Sequence, residues 1–257
     1  NKTMRGSFTV KINNYAKKED YVFDLIQKIG SLPEKDQEKF RTSCRVMVYD
    51  YNDMLMFNGF SGEFACFLVS GLVASRYYNF ESNKDQYMTF YKQQELFYPS
   101  HEVFDEDHTE EELVVFSDKA IIVVIPEDIM HEYQDKSPFF NEMLREQMAY
   151  QLQKERLYNI YCNLSSTRER IKNTLFYLAV LYGDVTDEKW VRLPRRIDQN
   201  VLASYTRAST SLVNMIVKEY CSQGLAKRGR RKLLLDRKLV MDYVAKTGFN
   251  KFLVAVE

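Results

Sequence analysis

Residues 197 to 235 constrain this chain more than any other stretch: IDQNVLASYTRASTSLVNMIVKEYCSQGL, followed by AKRGRRKLLL. Asp198 is placed to cap a first helix in which Val201, Leu202 and Tyr205 share one apolar face, and Ser209 is placed to cap a second. In that second helix Leu212, Val213, Ile216, Val217 and Tyr220 recur at helical spacing, while Thr210, Ser211, Asn214, Met215 and Lys218 take the opposite side. Gly224 stands where a helix-ending left-handed residue is expected. Leu225 then begins an extended run that turns through Lys227-Arg228-Gly229-Arg230-Arg231-Lys232 and returns through Leu233, Leu234 and Leu235. A short helix, a polar-faced helix and a basic hairpin in that order make a winged helix-turn-helix, a device for touching DNA rather than for covalent chemistry. The competing reading is an ordinary amphipathic helix pair with a solvated basic loop.

Charge supports the DNA reading only through its distribution. The 257 residues carry 36 basic and 36 acidic side chains, a formal net charge of zero, so attraction for phosphates must come from segregation along the chain. Between Arg192 and Arg237 basic residues outnumber acidic ones, whereas the stretch from Glu102 to Glu112 holds seven carboxylates and no Lys or Arg. Arg195, Arg196, Arg207, Lys218, Arg228, Arg230, Arg231 and Lys232 are the candidate phosphate ligands. Cys44, Cys66, Cys162 and Cys221 are scattered without CxxC spacing, which predicts reduced thiols in a cytoplasmic protein. The longest apolar run, 120–125, is far short of the roughly 20 residues a membrane helix needs, and no signal peptide is expected.

Ahead of this segment the pattern changes twice. Residues 1–20 read as a loosely attached polar arm, 21–29 as a helix, and 33 toward Phe40 as a second short helix. Short apolar runs follow at 44–49, 54–57, 65–69, 72–78, 86–91, 113–116 and 120–125, separated by turn dipeptides such as Asn58-Gly59 and Ser70-Gly71, the spacing of a β-sandwich or barrel. Pro138 then opens a segment to about Cys162 free of Gly and Pro. Its apolar residues Phe140, Leu144, Met148 and Leu152 suit a helix that pairs with a second copy of the chain, although packing on the chain's own β-domain is an equally physical use.

Catalytic and metal constellations are not expected. The sequence has no phosphate-cradling glycine loop, nucleophile elbow or HExxH, and three histidines in all. His101 and His108 flank an acidic run whose ligand types could hold a divalent ion, but such a run reads first as a solvated loop. His131 reads as a surface residue.

A β-rich domain, a long helix and a C-terminal winged helix-turn-helix together resemble the Crp/Fnr superfamily of bacterial transcription regulators. Phe57-Asn58-Gly59 resembles the glycine turn of the family's β-roll, and Leu68-Val69-Ser70-Gly71-Leu72-Val73 its recurrent hairpin. Val201-Leu202-Ala203, Ser209-Thr210-Ser211-Leu212-Val213 and Gly224-Leu225 fall at the family's spacing for the first helix, the recognition helix and the start of the wing. The likeness spans roughly residues 21 to 240. It implies an α+β chain with an N-terminal β-roll (a jelly-roll-like double-stranded β-helix) in residues 1–136, a dimerisation helix in 137–163 and a DNA-binding domain in 164–257. It further implies a sequence-specific homodimer on a pseudo-palindromic site of double-stranded DNA, with RNA polymerase as a further partner, and neither an enzyme nor a membrane protein.

Departures from the family pattern refine these implications. Cyclic-AMP-binding members cradle the phosphate with Gly-Glu and Arg-Ser pairs, where this chain has 96–102, LFYPSHE, and 109–112, TEEE. Glu110 falls near the position of the phosphate-binding Arg, and a carboxylate facing a phosphodiester is repulsive, so cyclic AMP is not the expected effector and no cofactor is expected. No cysteine precedes Cys44, which removes the family's oxygen-sensing cluster. An unidentified apolar effector would be lined by Tyr77, Tyr87, Phe97 and Tyr98 beside Glu110; aromatic crowding of this sort is also what a plain β-core looks like. On the recognition helix Thr210, Ser211 and Met215 replace the family's Arg, Glu and Arg, so base reading would rest on Ser209, Thr210, Ser211, Asn214 and Met215, leaning toward A·T pairs. The rival class is a small-molecule or partner-binding module whose helix-turn-helix holds DNA without reading it.

Overall fold

The computed structural model of the protein describes residues 33–55, 64–79, 84–99, 111–163, 166–229 and 232–247. Two compact units share the chain: residues up to 149 apart from 85–87, and residues 85–87 together with those from 150 onward. The helix expected over 21–29 and the turn at Phe57-Asn58-Gly59 lie outside the described residues.

The first unit begins with helix α1 (Glu34–Ser43) and strand β1 (Arg45–Asp50). Then come β2 (Phe64–Ser70), β3 (Leu72–Asn79), β4 (Lys84–Lys92), β5 (Leu96–Phe97), β6 (Glu111–Val115) and β7 (Lys119–Pro126). One sheet has the order β1-β7-β2-β5 and the other β4-β3-β6, with antiparallel pairing. The run expected as a strand at 54–57 contributes one bridge, Met54 to Val114, among the described residues.

Burial on both faces explains why β2 from Phe64 to Val69 and β7 from Ala120 to Ile125 are apolar on both sides alike. Phe64, Cys66 and Leu68, with Ile122 and Val124, face a core that includes Val73, Leu113 and Val115 of the other sheet. Ala65, Phe67, Val123 and Ile125 face a second core closed by α1, α2 (Glu127–Lys136) and the start of α3 (Pro138–Tyr158). A strand covered on both faces has no polar side, and each large residue so buried contributes about 1.5–3 kcal/mol. Phe40, Tyr133 and Phe140 meet edge to face at 4.9 to 6.4 Å in the second core. Gly71, at φ +106°, makes the β2–β3 turn, where a Cβ would stand 2.6 Å from the Lys119 carbonyl oxygen.

The second unit takes over within α3. A π-helical turn (Asn159–Asn163) ends that helix and α4 (Thr167–Tyr182) follows, its first turn capped by Ser166, which accepts from the Glu169 N–H. From Thr174 to Tyr182 every side chain of α4 is buried, which marks it as the unit's central helix. β8 (Asp184–Val185), β9 (Trp190–Arg192), β10 (Ala226–Gly229) and β11 (Lys232–Asp236) form a sheet of order β10-β11-β9-β8; α5 (Gln199–Tyr205) packs on α6 (Thr210–Ser222), and α6 and α7 (Arg237–Thr247) pack on α4 and the sheet. Residues 85–87 join this unit through Ser204, whose hydroxyl donates to the Asp85 carbonyl (2.6 Å) and accepts from the Tyr87 N–H (3.0 Å). The fold expected from the sequence, an α+β chain with a β-roll and a winged helical domain, is the fold observed.

Candidate nucleic-acid interface

Helices α5 and α6 are set by their caps. The Asp198 carboxylate accepts from the N–H groups of Asn200 (2.9 Å) and Val201 (3.0 Å), and Ser209 Oγ accepts from the Leu212 N–H at 3.2 Å. Between them Arg207 turns the chain at φ +51°, and the Ala208 N–H returns to the Ala203 carbonyl. Arg170 of α4 donates Nε–H to the Thr206 carbonyl at 2.7 Å, satisfying a backbone acceptor at the end of α5. Arg168 pairs with Glu219 of α6.

Behind this frame lies an aromatic floor. Tyr158 lies tilted against Tyr177 at 5.2 Å and against Tyr205 at 4.9 Å between ring centroids, and its hydroxyl donates to the Tyr205 carbonyl. Burial pushes the phenols of Tyr177 and Tyr205 well above their ordinary range and the Cys162 thiol to about 12, so this region carries no ionised side chain from these groups at neutral pH. All four cysteines are free of disulfides.

Helix α6 buries Val213, Ile216, Val217 and Tyr220 and exposes Ser211, Met215, Lys218 and Ser222, one ridge at i, i+4, i+7 and i+11. Met215 is 49% exposed. The five candidate base readers do not stand alike. Ser209 is occupied as the cap; Thr210 Oγ1 lies 3.5 Å from Asn200 Oδ1 of α5; Asn214 accepts from Arg228. Ser211 and Met215 face outward on the ridge.

Strands β10 and β11 form the wing, with Gly229 paired to Lys232 and Arg228 to Leu233. Lys227 and Arg228 necessarily point to opposite faces. Lys227 lies over the Trp190 ring at 4.6 Å, with Lys189 5.4 Å from the same ring, while Arg228 turns to α6. Of the candidate phosphate ligands, Arg195, Arg207, Lys218, Arg228 and Lys232 are exposed; Arg196 is half-buried with its Nε buried; Arg230 and Arg231 lie outside the described residues.

The other two candidate groups are each divided by the structure. Of the four residues assigned to a paired helix, Phe140 and Leu144 belong to the first unit's own core, while Met148 and Leu152 are 62% and 67% exposed. The stripe is continuous in sequence, but its N-terminal half is consumed by packing on the β-domain. Of the effector set, Phe97 is buried between the sheets and stacked on Tyr91 at 4.4 Å, whereas Tyr98 is half exposed with its hydroxyl toward Met130 Sδ at 3.9 Å. Tyr77 and Tyr87 are half-buried, and Glu110, like His101 and His108, lies outside the described residues. Arg76 of β3 pairs with Glu112 of β6 at 2.7 Å. His131 is exposed against Glu127 and Gln134, whose hydrogen bonds raise its pKa. Among the described residues no helix is long and apolar enough to cross a membrane, and no His, Cys, Asp and Glu side chains cluster in threes as a metal would need.

No family model and no curated protein matches the chain. Solved structures do. A cyclic nucleotide-binding domain containing protein from Listeria monocytogenes is similar with a TM-score of 0.69 at 18% identity, over 85% of this chain and 99% of that one. A CooA variant from Carboxydothermus hydrogenoformans gives 0.61 at 14%, over 80% and 88%. A putative transcriptional regulator of the Crp/Fnr family from Eubacterium rectale gives 0.54 at 12%, over 88% and 99%. At these identities the likeness is one of fold, and the fold is that of Crp/Fnr regulators.

Proposed function

We propose that this chain is a bacterial transcription regulator of the Crp/Fnr type, acting in the cytoplasm as a homodimer on an approximately two-fold site in double-stranded DNA. The observation that carries the reading is the exposed ridge Ser211, Met215 and Lys218 on α6, set beside a wing bearing Arg228 and Lys232, with Arg207 exposed at the turn before α6 and Arg195 exposed ahead of α5. A helix that offers small polar and apolar groups between two sets of cations fits the major groove, with cations on phosphates and the ridge on base edges. Exposed Met148 and Leu152, one turn apart on α3, are the natural seam for the second copy. RNA polymerase is a further partner of such a regulator, and cyclic AMP is not its signal, on the ground of Glu110 in the sequence. Selection of bound fragments from random duplexes tests the reading: enrichment of a motif with two-fold symmetry is expected, and affinity indifferent to sequence that vanishes at moderate salt would refute it in favour of a non-reading module. Thermal stabilisation by cyclic AMP would refute the statement about the signal.

A further inference from the structure

A side-chain hydrogen bond joins the wing to the recognition helix, and its chemistry fixes what the helix can read. Arg228 Nη2 lies 3.1 Å from Asn214 Oδ1. A guanidinium only donates, so the amide oxygen, and not the amide nitrogen, must face it; the orientation of the Asn214 side chain is set by its partner. Strand alternation holds Arg228 there, because the same strand sends Lys227 to the Trp190 ring on the far face and buries Ala226 on the near one.

An asparagine that reads adenine uses both ends of its amide, donating to N7 and accepting from the N6 amino group. With Oδ1 held by Arg228, Asn214 keeps only its two N–H donors for the groove. An adenine N6–H approaching this pair would meet an amide N–H and a guanidinium, donor against donors. Guanine presents two acceptors, N7 and O6, on the same edge and meets both. We infer that Arg228 is a positioning residue that turns Asn214 into a donor-only reader and so selects guanine over adenine at the base pair Asn214 faces. This inference rests on the reading of the chain as a DNA-binding regulator, and it replaces the A·T preference that Asn214 suggests when read alone.

Selection from random duplexes with the full-length protein, repeated for Arg228→Ala, Arg228→Lys and Asn214→Ala, tests it. The wild type should enrich guanine at one fixed position of each half-site. Arg228→Ala frees the amide oxygen and should shift that position toward adenine, a change in discrimination of roughly tenfold, with the rest of the motif unaltered. Arg228→Lys, which restores a donor to Oδ1, should retain guanine; Asn214→Ala should make the position indifferent, and adding Arg228→Ala to it should change nothing further there. A uniform loss of affinity in Arg228→Ala with an unaltered motif would make Arg228 a plain phosphate ligand and overturn the inference alone. So would adenine at that position in the wild type. Absence of any enriched motif in the wild type would overturn both the inference and the regulator reading.

Discussion

Arg207 holds φ +51° at the corner between α5 and α6, a conformation that costs a side-chain-bearing residue about 1 kcal/mol and costs glycine almost nothing. An exposed cation kept in a strained corner beside a recognition helix has a use that glycine lacks, and a phosphate contact is the use that charge and exposure suggest. Arg207→Gly should therefore raise stability by up to about 1 kcal/mol in urea unfolding while weakening DNA binding and lowering the salt slope by about one. Higher stability with unchanged binding would leave the strain without a functional reason. Asp198 predicts the opposite sign. Its carboxylate caps two N–H groups at the start of α5, so Asp198→Ala should cost about 1 kcal/mol, measured the same way. Both residues were visible in the sequence because caps and turn positions are local chemistry. The Arg228 to Asn214 pair was not, because 14 residues and a tertiary packing angle separate its members.

Helix α3 is read differently along its length. Phe140 and Leu144 anchor it to the β-domain, then Met148 and Leu152 face outward, and Lys154 is again buried at 1% exposure. A single apolar stripe in the sequence cannot reveal where its partner changes, since periodicity reports a buried face without naming what buries it. Helix α4 escaped the sequence reading for the converse reason: 174–182, TLFYLAVLY, is apolar on all sides and has no period to detect. The strands of the roll were legible as apolar runs between turns, and Gly71 as a turn residue; Gly71→Ala should cost about 2 kcal/mol, because the added methyl would collide with backbone at a positive φ. At the exposed part of α3 the expectation is oligomeric. Leu152→Lys should leave the fold intact and convert a dimer to monomers in sedimentation, because the lysine would face the like charge of its symmetry mate in an apolar seam. A wild type that is already monomeric at the concentrations where it binds DNA would remove α3 as a dimer helix.

At the scale of the whole molecule the net charge is zero, so any affinity for DNA depends on where the charges lie and should be lost steeply as salt screens them. Arg195, Arg207, Lys218 and Lys232 are all exposed in the second unit. If a dimer places two heads on the duplex and each of these cations meets a phosphate, the slope of log affinity against log salt is about −7. Half-sites would lie about one helical turn apart, since two heads related by a two-fold axis must enter successive major grooves on one side of the duplex. Monomeric Leu152→Lys retains one complete head, so its slope should fall to about half of the wild-type value, and its preference for two half-sites over one should disappear while the motif within a half-site persists. That combination separates pairing from reading. A variant that keeps the full slope would mean that one head alone meets all the phosphates, and the two-fold arrangement would then have no electrostatic support.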